Sequence, residues 1–152
     1  MTELRTELLF NAFIEVAATI DLGPSPLGER RMVPITGGTF EGPKMKGRIV
    51  PGGIDWQLVR ADKVTEIEAH YSIETDDGVL IRVINKGFRH GPAEVMQRLR
   101  AGDPVEPDEY YFRAAPVFEA PCGRYEWLNK SLFVSSGERS AEAVVLRVFE
   151  VL

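Results

Sequence analysis

Glu66-Ile67-Glu68-Ala69-His70-Tyr71-Ser72-Ile73-Glu74 alternates apolar and polar side chains without a break. In an extended chain that period puts Ile67, Ala69, Tyr71 and Ile73 on one face and the polar residues on the other. One dry face and one wet face belong to an antiparallel sheet, because parallel sheets are covered on both sides. Thr75-Asp76-Asp77-Gly78 comes next, then a second apolar run from Val79 to Asn85. Asp-Gly between two such runs is a strong signal for a tight hairpin.

The neighbouring segments extend this pattern in both directions. Upstream, Asp55 to Arg60 reads as a strand entered through a bend at Pro51-Gly52-Gly53, with a further strand from Lys46 to Val50. Gly37-Gly38-Thr39-Phe40-Glu41-Gly42-Pro43 reads as a glycine-kinked bend after a short strand, Arg30 to Ile35, and Leu22 to Gly28 as a turn. Glycines at such bends let a sheet turn sharply. Near the start, Leu8, Phe10, Ala12, Ile14 and Val16 alternate as in a strand, although Leu9, Ala12, Phe13, Val16 and Ile20 also fit a helical stripe. Its β-branched and aromatic content favours the strand.

Downstream, Gly91 to Gly102 has proline near its start and glycine past its end, which predicts a helix over Ala93 to Ala101. Val95, Met96 and Leu99 share a face suited to covering an opening or packing on a sheet. Tyr110 to Glu119, Tyr125 to Val134 and Ala143 to Val151 predict three more strands. The expected fold class is all-β: a single antiparallel β-barrel, of the small-ligand-barrel kind, with one short α-helix and one domain over residues 1–152. Closure is preferred to a sandwich because it removes exposed edges and accounts for the kinked glycines.

Composition narrows the function classes. The chain has 152 residues, 44% hydrophobic and 27% charged, with a formal charge of −5. An acidic balance argues against a nucleic-acid or anionic-membrane partner. The lone Cys122 excludes an internal disulfide and a multi-cysteine zinc site. With no export signal or spanning segment read in the sequence, the expected compartment is cytoplasmic.

Motif chemistry is sparse. Gly37 to Gly42 lacks phosphate-loop spacing, and Pro43 removes an amide such a loop would use. His70 and His90 have no second ligand at metal spacing, so no metal and no cofactor is expected. Asp76 and Asp77 are accounted for by the hairpin turn. Cys122 has Arg124 nearby but no histidine to act as base, and no serine-hydrolase elbow is present.

Polar residues embedded in strands remain. Asp55 precedes Trp56, and Arg82 alternates with Leu80 and Ile84. Tyr111, Arg113 and Glu119 share one parity, and Tyr125, Trp127 and Asn129 share another on the next predicted strand. One face of every barrel strand points inward, so such groups are candidates for lining a ligand cavity, with cross-strand surface pairing as the alternative.

These residues also carry a likeness. Arg31, Pro34-Ile35, Gly37-Gly38-Thr39-Phe40-Glu41-Gly42-Pro43 and Pro51-Gly52-Gly53, then Asp55-Trp56, resemble the domain-of-unknown-function family 3237, also called uncharacterised protein family 0311. The resemblance runs on in order through Thr75-Asp76-Asp77-Gly78, Tyr111-Phe112-Arg113, Pro116, Phe118-Glu119 and Trp127-Leu128-Asn129. It implies a single-domain β-barrel similar in outline to small-ligand-binding barrels, and it supplies no activity. Its characteristic residues fall on Asp55, Trp56, Asp77, Arg113, Glu119, Trp127 and Asn129.

Three readings follow. The first is a binding module for a small, partly aromatic, carbonyl- or carboxylate-bearing metabolite. Arg113 anchors the anionic group, Trp56 and Trp127 form apolar walls, Asn129 orients a polar substituent, and Arg82, Tyr111 and Glu119 complete the lining. The second is a cofactor-independent acid–base enzyme, an isomerase, cyclase or lyase, with Asp55 as general base and Tyr71 or Arg113 stabilising enolate charge. The third is an interaction protein, a homodimer formed through exposed aromatics.

Overall fold

Alternating apolar side chains place extended backbone along most of the chain, and hydrogen bonding closes that backbone on itself. The structure, a computed structural model, describes residues 2–152. Its strands are β1 (Thr6–Val16), β2 (Ile20–Ser25), β3 (Gly28–Glu41), β4 (Lys46–Ile49), β5 (Ile54–Val59), β6 (Thr65–Thr75), β7 (Leu80–His90), β8 (Tyr111–Glu119), β9 (Leu132–Arg139) and β10 (Ala143–Val151). The α-helix is α1 (Ala93–Arg100), and short 3₁₀ turns occupy Pro107–Glu109 and Glu126–Lys130.

Neighbours run β1-β10-β9-β8-β7-β6-β4-β3, and β3 returns to β1 through pairs from Asn11 with Glu41 to Val16 with Ile35. All pairs are antiparallel. β4 and β5 lie end to end in one position between β3 and β6, so the closed barrel has eight strand positions. β2 extends the wall beyond β1, pairing with β3 from Gly28 to Met32.

The hairpin of β6 and β7 behaves as its alternation predicts. Ile67, Ala69, Tyr71 and Ile73 face inward and meet Ile81 and Val83 with Phe10, Phe40, Phe118 and Phe133 in one core. Phe10, Phe40, Phe118 and Phe133 form a chain of ring contacts with centroids 4.9 to 6.0 Å apart.

Three expectations are corrected. The glycine-rich stretch does not end a strand: β3 continues from Gly28 to Glu41 and bends within itself. Gly38 has φ +131°, and a methyl group there would strike the Phe13 carbonyl, so glycine lets β1 and β3 approach at the seam. The Leu22–Gly28 passage is not all turn, since β2 pairs with β3 around Pro26 and Leu27. Tyr125 to Val134 is not one strand. Tyr125 and Leu128, three residues apart, turn inward together on a 3₁₀ segment, and β9 begins only at Leu132.

The two ends of the barrel are finished differently. The 3₁₀ segment plugs the end that carries the β6–β7 turn. There the Tyr125 hydroxyl and the Thr75 hydroxyl donate to Asp77 Oδ1 at 2.8 and 2.6 Å, and Arg124 Nη1 donates to Oδ2 at 3.1 Å. At the opposite end α1 connects β7 to β8 and lies across the mouth. Arg98 fastens it, donating to Glu109 Oε1 at 2.8 Å.

Candidate functional site

Beneath α1 the mouth opens into a cavity of about 590 Å³. Its wall includes Arg31 from β3, Gln57 from β5, Arg89 from β7 and Arg139 from β9. Its roof is the apolar side of the helix, Met96 and Leu99, with Arg100 beside them. Antiparallel topology explains the gathering: β5, β7 and β9 finish at this mouth, and β3 starts there.

Asp55 sits one inward-facing position deeper on β5. Gln57 Nε2 donates to Asp55 Oδ2 at 2.9 Å, and Arg89 Nη2 donates to Gln57 Oε1 at 3.4 Å. Gln57 therefore links the carboxylate to the cavity floor. Arg89 is also held over the Phe112 ring, 5.5 Å from its centroid. The Tyr110 hydroxyl accepts the Arg139 backbone N–H at 2.8 Å.

Many polar atoms here have no partner in the protein. They are Asp55 Oδ1, Arg31 Nε, Arg89 Nε and Nη1, and Arg139 Nη1. Leaving a charged group buried and unpaired costs several kcal/mol, roughly 3–5 when one member of an ion pair is removed.

The titrating groups report the same environment. Burial pushes the Asp55 carboxyl above its ordinary range, against the Gln57 hydrogen bond and the pull of Arg89, Arg139 and Arg31. Burial lowers Arg89 to about 10, with Arg139 adding repulsion and Asp55 opposing it, so Arg89 stays charged at neutral pH. Arg139 is lowered by burial, against Asp55 and Tyr110. Arg31 is lowered by burial and then by Arg100, against Asp21 and Glu29. The Tyr71 phenol is raised by burial first and by Asp55 second, so it keeps its proton and remains a donor.

A family model described as a protein of unknown function, DUF3237, matches residues 4–151. The chain belongs to this family. A UPF0311 protein of Rhodopseudomonas palustris is 40% identical over 98% of this chain and 97% of its own length. The crystal structure of a conserved protein of unknown function from the same species shares 39% identity and a TM-score of 0.97, covering 100% of both chains. A β-barrel-like protein from Acinetobacter baumannii shares 40% identity and a TM-score of 0.87, covering 100% of this chain and 98% of its own.

The DUF3237 residues singled out from sequence divide between locations. Asp55 and Tyr71 come together inside the barrel. Trp56 is half-buried on the other face of β5. Arg82 and Glu119 are register partners on the outer face of β7 and β8. Arg113 is also outside, donating to the Phe112 carbonyl at 2.9 Å and lying 5.7 Å from the centroid of the exposed Tyr111 ring. Trp127 and Asn129 belong to the plugged end. Lys44 stands 5.1 Å over the Trp127 ring, and Asn129 Nδ2 donates to the Ala120 and Glu126 carbonyls at 2.9 and 3.0 Å.

Gln57, Arg89 and Arg139 belong to no motif, and Arg31 enters the sequence reading only through the family resemblance. Their signal is parity: Asn85 and Arg89 continue the inward face of Ile81 and Val83, and Arg31 continues that of Val33 and Ile35. No group of three or more His, Cys, Asp or Glu among the described residues is placed to hold a metal ion. No helix among them is long and apolar enough to cross a membrane.

Proposed function

We propose that the cavity beneath α1 binds a small carboxylate- or carbonyl-bearing metabolite, with Arg89 and Arg139 as its anchor. The observation that carries this reading is the set of buried guanidinium donors left without protein partners. Ionised donors make the stronger hydrogen bonds, and a low-dielectric pocket strengthens them further. Met96 and Leu99 offer an apolar surface to the body of the ligand, consistent with a partly aromatic compound. The anchoring role expected of Arg113 passes to Arg89 in this reading.

Thermal-shift measurements with aromatic acids, keto acids and lactones test it. A ligand at a hundred times its dissociation constant adds about 2.7 kcal/mol of stability. Arg89→Met is expected to abolish the shift and to lower the unliganded Tm, because Gln57 Oε1 loses its donor and buried Asp55 loses a compensating charge. A shift that survives in this variant places the ligand elsewhere.

Acid–base catalysis one layer below the cavity floor is a second reading, favoured by the raised pKa and unpaired Oδ1 of Asp55 beside the protonated Tyr71. Asp55 would take a proton from carbon next to a carbonyl, and Tyr71 would donate to the developing enolate oxygen. Asp55→Asn then removes turnover of a bound compound while affinity is largely kept. Equal loss of both contradicts a catalytic base.

A further inference from the structure

The cavity is lined by five cationic side chains, Arg31, Lys63, Arg89, Arg100 and Arg139, and by no carboxylate. The carboxylates that act on Arg31, Arg89 and Arg139 are Asp55 at the base and Asp21 and Glu29 behind Arg31. With every group ionised these three arginines and three carboxylates balance, and Lys63 and Arg100 at the mouth add two further positive charges. The cations are also graded in depth, from buried Arg89 through half-buried Arg139 and Arg31 to exposed Arg100 and Lys63.

Free donors occur along that gradient, with two on Arg89 and one each on Arg139 and Arg31. A single carboxylate at Arg89 and Arg139 leaves the free Arg31 donor and the positive charge of Arg100 at the mouth without an acceptor group from the ligand. A second acidic group would meet both Arg31 and Arg100 and gain their attraction.

Resting on the binding reading above, we infer that the ligand class is a dianionic organic acid, with two separate acidic groups on a compact apolar body. One acidic group seats at Arg89 and Arg139. The other points to the mouth, toward Arg31 and Arg100, while the body packs under Met96 and Leu99. Dicarboxylates and acids carrying a second ionised oxygen fit this description, and simple monocarboxylates and neutral ketones do not.

Titration calorimetry on the full chain at neutral pH, with phthalate and benzoate as matched probes, tests the inference. Phthalate is expected to bind at least about tenfold more tightly, a difference of roughly 1.4 kcal/mol, and its advantage to shrink as salt is raised. Arg100 is exposed on α1, so Arg100→Ala should fold normally, and it is expected to bring the phthalate-to-benzoate ratio toward one. Arg31→Gln should act in the same direction. Equal binding of both probes overturns the dianion and leaves an anion pocket standing. Binding of neutral dimethyl phthalate with neither anion bound overturns both readings, as does the absence of any binding into the millimolar range.

Discussion

Asp55 is a carboxyl whose proton affinity is raised by folding, because burial outweighs the Gln57 hydrogen bond and three arginines. The native state therefore keeps this proton over a pH range in which the unfolded chain has already released it. Stability falls as pH climbs from the ordinary carboxylate range to the raised folded value, and stays at the lower level above it. Asp55→Asn removes that loss. The Tm of the variant relative to the native protein is expected to be flat below the ordinary carboxylate range, to rise as pH climbs above it, and to level off once the folded Asp55 is ionised. Each pH unit of displacement corresponds to about 1.4 kcal/mol, which is several degrees in a chain of this size. A Tm difference independent of pH would show that folding leaves the Asp55 equilibrium where the unfolded chain has it. At this scale the sequence was half legible. Asp55 and Tyr71 stand out because each interrupts or joins an apolar alternation, and both face inward. Arg113 stands out just as well, yet Phe112, Ala114 and Phe118 claim the inward face of β8 and turn it outward. Arginines that share parity with the core face the lumen, and Arg89 is one of them.

Elements explain why the aromatic and amide groups near residue 127 lie far from the cavity. Asn129 joins the 3₁₀ plug to the end of β8: Nδ2 donates to two carbonyls, and Oδ1 accepts the Ala120 N–H at 3.1 Å. Asn129→Ala leaves those backbone groups to water and is expected to cost about 1–2 kcal/mol. In urea this appears as a lower midpoint with an unchanged m-value. The cavity lies at the opposite mouth, so ligand affinity should hold. A loss of affinity without a loss of stability would return Asn129 to the binding site. A reading of Tyr125, Trp127 and Asn129 as one strand face follows from period-two alternation. The signal against it is the three-residue spacing of the buried Tyr125 and Leu128, which only a tight helical turn satisfies. Glycine misled in the same local way at β3. Gly37 and Gly38 look like a stop, but the close approach of β1, which no local pattern reveals, is what requires Gly38.

At the scale of the molecule the barrel is asymmetric along its axis, and that asymmetry predicts where it moves. The wall of β6, β7, β1 and β10 is paired along nearly its whole length. β2, in contrast, pairs with β3 alone, and α1 holds to the barrel through a single buried side chain, Val95, with Met96 and Leu99 packed beside it, and through the ion pair of Arg98 with Glu109 at 2.8 Å. Surface ion pairs contribute little, roughly 0–1 kcal/mol each, so opening of α1 should need far less free energy than unfolding of the barrel. Hydrogen exchange is expected to be fast in α1 and β2 and slow in β6 and β7. Because the cavity lies between the helix and this mouth, an occupant bridging Arg89 and Met96 must hold α1 down. Saturating phthalate should therefore slow exchange in α1 and β2 while leaving the 3₁₀ plug unchanged. Protection spread evenly over the barrel would mean that binding stabilises only the global fold, and protection concentrated at the plugged end would move the site there. The antiparallel barrel was readable because alternation repeats in every strand. Which mouth is open depends on how α1 and the plug sit on that barrel, and this emerges only when distant segments meet.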